Sequence, residues 1–182
     1  MKFHEAGLAG VLLVEPTVFD DPRGHFFEVH HRDKFAAAGI GLAFVQDNHS
    51  HSTKDTIRGL HFQEPHAQGK LVRAVHGEIF DVAVDIRKGS PTFGQWTGHI
   101  LSAANKLQLW VPPGFAHGLC ALSDTVDVIY KCTDVYAPED EHSIAWNDPD
   151  IGIAWLIETP VLSDKDSAAP MLKDCPVLPE YT

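Results

Sequence analysis

Basic residues are scarce. There are 14 Lys and Arg against 25 Asp and Glu, a formal net charge of -11 with histidine neutral. That balance argues against nucleic acid or an anionic membrane surface as a partner. It would also repel an anionic small molecule, so particular Arg and Lys side chains would have to hold one. Long apolar runs are missing, and none could span a bilayer. The apolar stretch near the N-terminus lacks a basic start and a small-residue cleavage site, and it runs into Glu15-Pro16-Thr17. It reads as a first strand, not a signal peptide. Cysteine is sparse too: Cys120, Cys132 and Cys175 are too few and too scattered for a disulfide framework. Cys120 and Cys132 fall in apolar strands and read as reduced core residues. A cytoplasmic location is the default expectation.

What is present suits one globular domain over residues 1–182. Hydrophobic content is 44%, enough for a proper core, and no linker or composition break divides the chain. Strand patterns are expected at 8–14, 17–19, 25–29, 43–48, 56–62, 70–76, 79–86, 96–101, 106–111, 127–132, 143–146 and 151–155. In 79–86, Phe80, Val82, Val84 and Ile86 share one face, and Ile79, Asp81, Ala83 and Asp85 share the other. Asp81 and Asp85 then either orient cavity groups or are solvated. Turn signals stand at Asp20-Asp21-Pro22-Arg23-Gly24, at Pro112-Pro113-Gly114 and at Asp148-Pro149-Asp150. Helix is confined to Arg32–Ala38, stopped by Gly39, and a short piece before Pro170. The Ser/Thr/Lys run after His51 reads as loop. Many short strands and no βαβ alternation point to an all-β antiparallel jelly roll, a cupin-like double-sheet barrel with a few short helices.

The chemistry gathers at Arg58-Gly-Leu-His61-Phe-Gln and Gln68-Gly-Lys70-Leu-Val-Arg. At a pocket mouth, Arg58, His61 and Lys70 offer an anion clamp, a proton acceptor and an electrophilic cation. The 12 histidines also allow a rival reading. His49, His51, His61, His66 and Glu64 could form a divalent metal site, although no carboxylate stands at a matching strand spacing. A third reading is a non-catalytic nucleotide-sugar binder, which needs the arginines but not His61, Lys70 and Tyr130 together.

These motifs, with Phe80-Asp-Val-Ala-Val-Asp-Ile-Arg-Lys-Gly-Ser-Pro, Trp110-Val-Pro-Pro-Gly-Phe-Ala-His117-Gly, Tyr130-Lys-Cys-Thr, Tyr136-Ala-Pro and Leu162-Ser-Asp-Lys-Asp166, occur in order along nearly the whole chain. Together they resemble the dTDP-4-dehydrorhamnose 3,5-epimerase family. The resemblance implies a dimeric cupin-type jelly roll that works without metal or other cofactor on a dTDP-4-keto-6-deoxyhexose, inverting the two carbons beside the ketone. A C3-only or C5-only epimerase of a related pathway is the alternative. By the same resemblance His61 is the base, Asp166 the carboxylate orienting it, Tyr130 the acid and Lys70 the cation near the ketone. Arg58 and His117 line the sugar–phosphate site. Arg23, Glu28, Gln46, Asp47 and Asn48 match nucleotide and phosphate contacts, and Tyr136, Glu141 and Lys165 complete the substrate-binding set. Leu156 stands where the family pattern has proline after Trp155, so a different path toward Leu162 is expected.

That chemistry wants these residue types. An enolate needs a nearby cation, and a histidine with a neighbouring carboxylate suits proton abstraction near neutral pH. Inversion needs an acid on the opposite face of the ring. Each residue also has a bland reading. Ser163-x-x-Asp166 is a helix capping box, Tyr130 could be core, and Lys70 could be a solvated strand charge.

Overall fold

The computed structural model describes residues 1–181. Thirteen strands fall into three antiparallel sheets. The strands are β1 (Lys2–Glu5), β2 (Leu12–Glu15), β3 (Val18–Asp21), β4 (Gly24–Phe27), β5 (Gln46–Thr53), β6 (Ile57–Gln63), β7 (Lys70–His76), β8 (Glu78–Asp85), β9 (Trp96–Ser102), β10 (Gln108–Val111), β11 (Phe115–Ala121), β12 (Thr125–Cys132) and β13 (Glu141–Ser143). The helices are short: α1 (Arg32–Ala37) and α2 (Asp164–Ser167). Strand order is β1-β2-β10-β7-β12-β5 in one sheet and β13-β6-β11-β8-β9 in the other, while β3 and β4 form a separate hairpin. This is the expected all-β jelly roll.

The two large sheets close on a shared core. Val72, Leu109, Val126 and Val128 from the first meet Ile79, Ala83, Phe115 and Leu119 from the second. Each such side chain contributes roughly 1.5–3 kcal/mol by leaving water. The outer face of the five-stranded sheet, with Phe80, Val82 and Val84, is covered by Ile144, Ile151, Trp155 and Leu172 of the C-terminal segment. The outer face of the six-stranded sheet, with Val14, Leu71 and Trp110, is covered by Phe35 of α1 and by Phe44. Cys120 and Cys132 are buried free thiols, and Cys175 is also free.

The structure departs from the sequence expectations in five places. The first is β11 (Phe115–Ala121), a fully buried central strand where only a turn into His117 is expected; β6 and β8 flank it and supply its ladder partners. The N-terminal stretch is a hairpin of two strands, because Gly7 and Gly10, both with φ near +90°, fold it between Glu5 and Leu12. The polar run after His51 continues β5 to Thr53, since β12 supplies a ladder partner at every position. Burial along β5 alternates, turning Gln46, Asn48, Ser50 and Ser52 toward the interior. Strand β13 lies earlier than expected, pairing Glu141–Ser143 with Gln63–His61. Residues 151–155 are not a strand: their alternation reflects Ile153 and Trp155 packing on the apolar cluster, with Trp155 Nε1 donating to Trp146 O at 2.7 Å.

Candidate active site

Between the sheets lies a cavity of about 610 Å³ lined by Ser52, Arg58, His61, Lys70, His117, Tyr130 and Asp166, among others. It adjoins a smaller one of about 270 Å³, and His61, Lys70, Tyr130 and Glu141 line both.

One wall comes from β6 and β11. Arg58 and His61 are three apart, so strict alternation would turn them to opposite faces. A bulge solves this. His61 pairs with His117 while Arg58 pairs with Leu119, so Gly59 and Leu60 together oppose the single Gly118. Only glycine fits at position 59: φ is +125°, and a Cβ would lie 2.6 Å from Gly118 Cα. The result is Arg58, His61 and His117 on one inner surface. Arg58 is held by Ser52, its Nε donating to Oγ at 2.9 Å, and by the His51 carbonyl at 2.9 Å.

His61 Nε2 donates to Asp166 Oδ1 at 2.6 Å. Burial works to raise the Asp166 carboxyl, but the His61 bond, with Ser163 and the Gly59 amide, holds it below the usual carboxylate range. The Asp166 backbone amide donates to Ser163 Oγ at 3.1 Å, capping α2. Ser163-x-x-Asp166 thus makes two sets of bonds at once: the backbone amide of Asp166 caps the helix and its carboxylate is bonded to the His61 imidazole. His117 Nε2 sits 2.9 Å from Asp81 Oδ1, and Asp81 is fully buried with its second oxygen unpartnered. Asp81 thus orients a cavity histidine. Asp85 instead binds Arg87, Ser90 and Thr92 away from the cavity.

The other wall comes from β7 and β12. Tyr130 pairs with Val72, and Cys132 with Lys70, so the phenol and the ammonium share the inner surface of the six-stranded sheet. Lys70 is buried, not a solvated strand charge. Desolvation pushes its ammonium below the ordinary lysine range, against the opposing influence of Cys132 and Glu141. Burial likewise pushes the Tyr130 phenol up, which keeps it protonated. On the rim, Glu141 binds Lys165 at 2.6 Å and accepts from the Tyr136 hydroxyl at 2.8 Å. Burial acts to raise the Glu141 carboxyl, but these two bonds hold it low.

Other candidates lie apart. Asp47 points to the outer face, where it binds Lys131 at 2.8 Å, while its neighbours Gln46 and Asn48 line the smaller cavity. Arg23 sits at the β3–β4 turn, about nine-tenths exposed and paired with Asp21; Glu28 pairs with Lys34. Neither lines the cavity. The rival metal set is not assembled. His49 and His51 bind Asp127 on the outer face of β5, and His66 pairs with Asp140. Among the described residues no group of three or more His, Cys, Asp or Glu is placed to hold a metal ion, and no helix is long and apolar enough to cross a membrane. Sequence reasoning passed over Ser52, Gln63 and Gln68, although Gln63 and Gln68 stand inside the two motifs built around His61 and Lys70.

Residues 5–174 match the family model described as dTDP-4-dehydrorhamnose 3,5-epimerase. A protein of that description from Pseudomonas aeruginosa is 52% identical over 181 residues, covering 98% of this chain and all of the relative. Another from Shigella flexneri is 58% identical over 168 residues, covering 91% and 93%. Among solved structures, an epimerase from Legionella pneumophila in complex with dTDP-4-keto-L-rhamnose superposes with a TM-score of 0.96 at 48% identity, covering 100% of this chain and 98% of that one.

Proposed function

The chain belongs to the dTDP-4-dehydrorhamnose 3,5-epimerase family, and from that premise we propose how its cavity carries the reaction. The enzyme inverts C3 and C5 of dTDP-4-dehydro-6-deoxy-D-glucose to give dTDP-4-dehydro-L-rhamnose, abstracting a proton beside the ketone and returning one from the opposite face.

His61 is the base. With Nε2 engaged by Asp166, its other ring nitrogen, Nδ1, carries the lone pair that takes the proton. Lys70, buried on the opposite wall, stabilises the enolate oxygen as charge develops there. Tyr130 returns the proton. The observation that carries this reading is the division between sheets: base on one wall, acid and ammonium on the other, one hollow between them. A reaction that inverts a carbon needs acid and base on opposite sides of the ring, and two facing sheets supply that directly. Arg58 and His117 bind the diphosphate side through charge-assisted bonds. Gln46 and Asn48 line the smaller cavity beside Tyr136 and Glu141, and Lys165 pairs with Glu141 at the rim.

Arg23 and Glu28 contact the nucleotide only if a second copy of the chain brings its β3–β4 hairpin to this cavity. That requirement favours a homodimer, as do the exposed edge strand β1 and the exposed, paired Phe19 and Phe26 of the hairpin. We place the protein in the cytoplasm as one domain. The decisive experiment is NMR of dTDP-4-dehydro-6-deoxyglucose turned over in heavy water by wild type and His61→Asn. Wild type should incorporate deuterium at C3 and C5 and His61→Asn at neither; full exchange in the variant removes His61 as base. A monomer by light scattering at micromolar concentration would remove the dimer.

A further inference from the structure

Residues 133–137 cross the rim between β12 and the turn leading to β13 without joining a strand. Their backbone is gripped by three glutamine side chains. Gln68 Nε2 donates to Asp134 O at 2.9 Å. Gln63 Nε2 donates to Val135 O at 3.2 Å and to His66 O at 2.8 Å, while its Oε1 accepts from Ala137 N at 3.1 Å. Gln46 Oε1 accepts from Tyr136 N at 2.8 Å. Gln63 and Gln68 are buried, and all three line the smaller cavity. In the middle of the gripped segment stands Tyr136, whose hydroxyl reaches Glu141 and through it Lys165.

A loop backbone this close to a cavity would ordinarily be satisfied by water or by a neighbouring strand. Here long side chains do it, from both sheets: Gln46 from β5 and Gln63 from β6, with Gln68 just before β7. Each amide offers one acceptor and two donors, and Gln63 uses all three. The grip therefore references Tyr136 to both walls of the cavity at once.

We propose that Gln46, Gln63 and Gln68 are positioning residues for the epimerisation, forming a clamp that holds Tyr136, and with it the Glu141–Lys165 pair, against the bound sugar nucleotide. The clamp rests on the reading above that this cavity takes the substrate. It acts through Tyr136, and that separates it from ordinary support of the fold.

The test is steady-state kinetics of the full-length enzyme with dTDP-4-dehydro-6-deoxyglucose, using Gln63→Leu and Gln68→Leu alone and each combined with Tyr136→Ala. Either leucine variant should lower kcat/KM by about tenfold or more, mostly through KM, since a misplacement of about 1 Å in a positioning group can cost about 10²-fold. In the Tyr136→Ala background the same substitution should change kcat/KM by less than about threefold, because residues acting through one another are not additive. Equal penalties in both backgrounds would overturn the clamp. If a leucine variant does not fold, Gln63→Glu keeps the question open to measurement. A carboxylate cannot donate to two carbonyls, whereas the protonated acid regains one donor. Its kcat/KM relative to wild type should rise as pH is lowered from about 8 toward about 5; a ratio flat with pH would also overturn the clamp. A wild type with no turnover in the same assay would sink the functional reading and the clamp with it.

Discussion

His61 and His117 stand opposite each other in the β6–β11 ladder, and each is bonded to its own buried carboxylate, Asp166 for one and Asp81 for the other. Two histidine–carboxylate pairs thus share one wall of the cavity, and the proposed function gives them different tasks.

Separating them experimentally is direct. Asp166→Asn removes the charge that orients the base, so deuterium exchange at C3 and C5 should slow by about 10²–10⁴-fold, the usual size of general-base assistance. Asp81→Asn should act on substrate capture instead, raising KM while exchange at saturating substrate stays close to wild type. Equal losses of exchange in the two variants would mean that the histidines are not divided in this way.

Lys70 sets function against stability. Its ammonium is buried and desolvated, so folding works against the charged form. Lys70→Met keeps the length and removes the charge. It should lower kcat by about 10²–10³-fold and raise the melting temperature, by about 2–4 °C for each kcal/mol relieved in a chain of this size. The sign fixes the pH window. The folded pKa lies below 10.5, so the penalty is fully present below the folded value and fades as pH rises toward 10.5. The stability gap between variant and wild type should narrow over that range. A Lys70→Met protein less stable than wild type at neutral pH would refute the idea.

Tyr130 is expected to deliver the proton, not to remove one. Tyr130→Phe should still wash deuterium into at least one carbon, because His61 and Lys70 remain, yet release little inverted product. Unchanged product formation would relieve Tyr130 of that role.

Away from the cavity, Asp85 should contribute to acid stability. Burial works to raise its carboxyl, but the bonds from Arg87, Ser90 and Thr92 outweigh it and bring the pKa to about 2, from 3.8. The depressed value contributes stability above 3.8 that is lost as pH falls toward about 2. The shift corresponds to about 2 kcal/mol. Asp85→Asn should be less stable than wild type at pH 7 in urea unfolding, and the difference should shrink on acidification through that window. A constant difference from neutral to strongly acidic pH would contradict it.

The strand-rich scaffold was legible locally, and the motifs around Arg58 and Lys70 supplied the candidate residues for the chemistry. Turn residues and period-two alternation are local signals, and strands such as Lys70–His76 follow from them with no knowledge of partners. Expectations slipped where pairing, not pattern, decides. The polar tail of β5 is a strand because β12 lies alongside, and the alternating 151–155 is not one because no ladder partner does. Only the folded chain decided which side each functional group faces. The bulge at Gly59 turns Arg58 and His61 to the same surface against their spacing, and Asp166 meets His61 across 105 residues. Alternation is a property of one strand, whereas bulges, sheet faces and loop clamps arise from contacts between distant segments, which no local stretch of sequence contains.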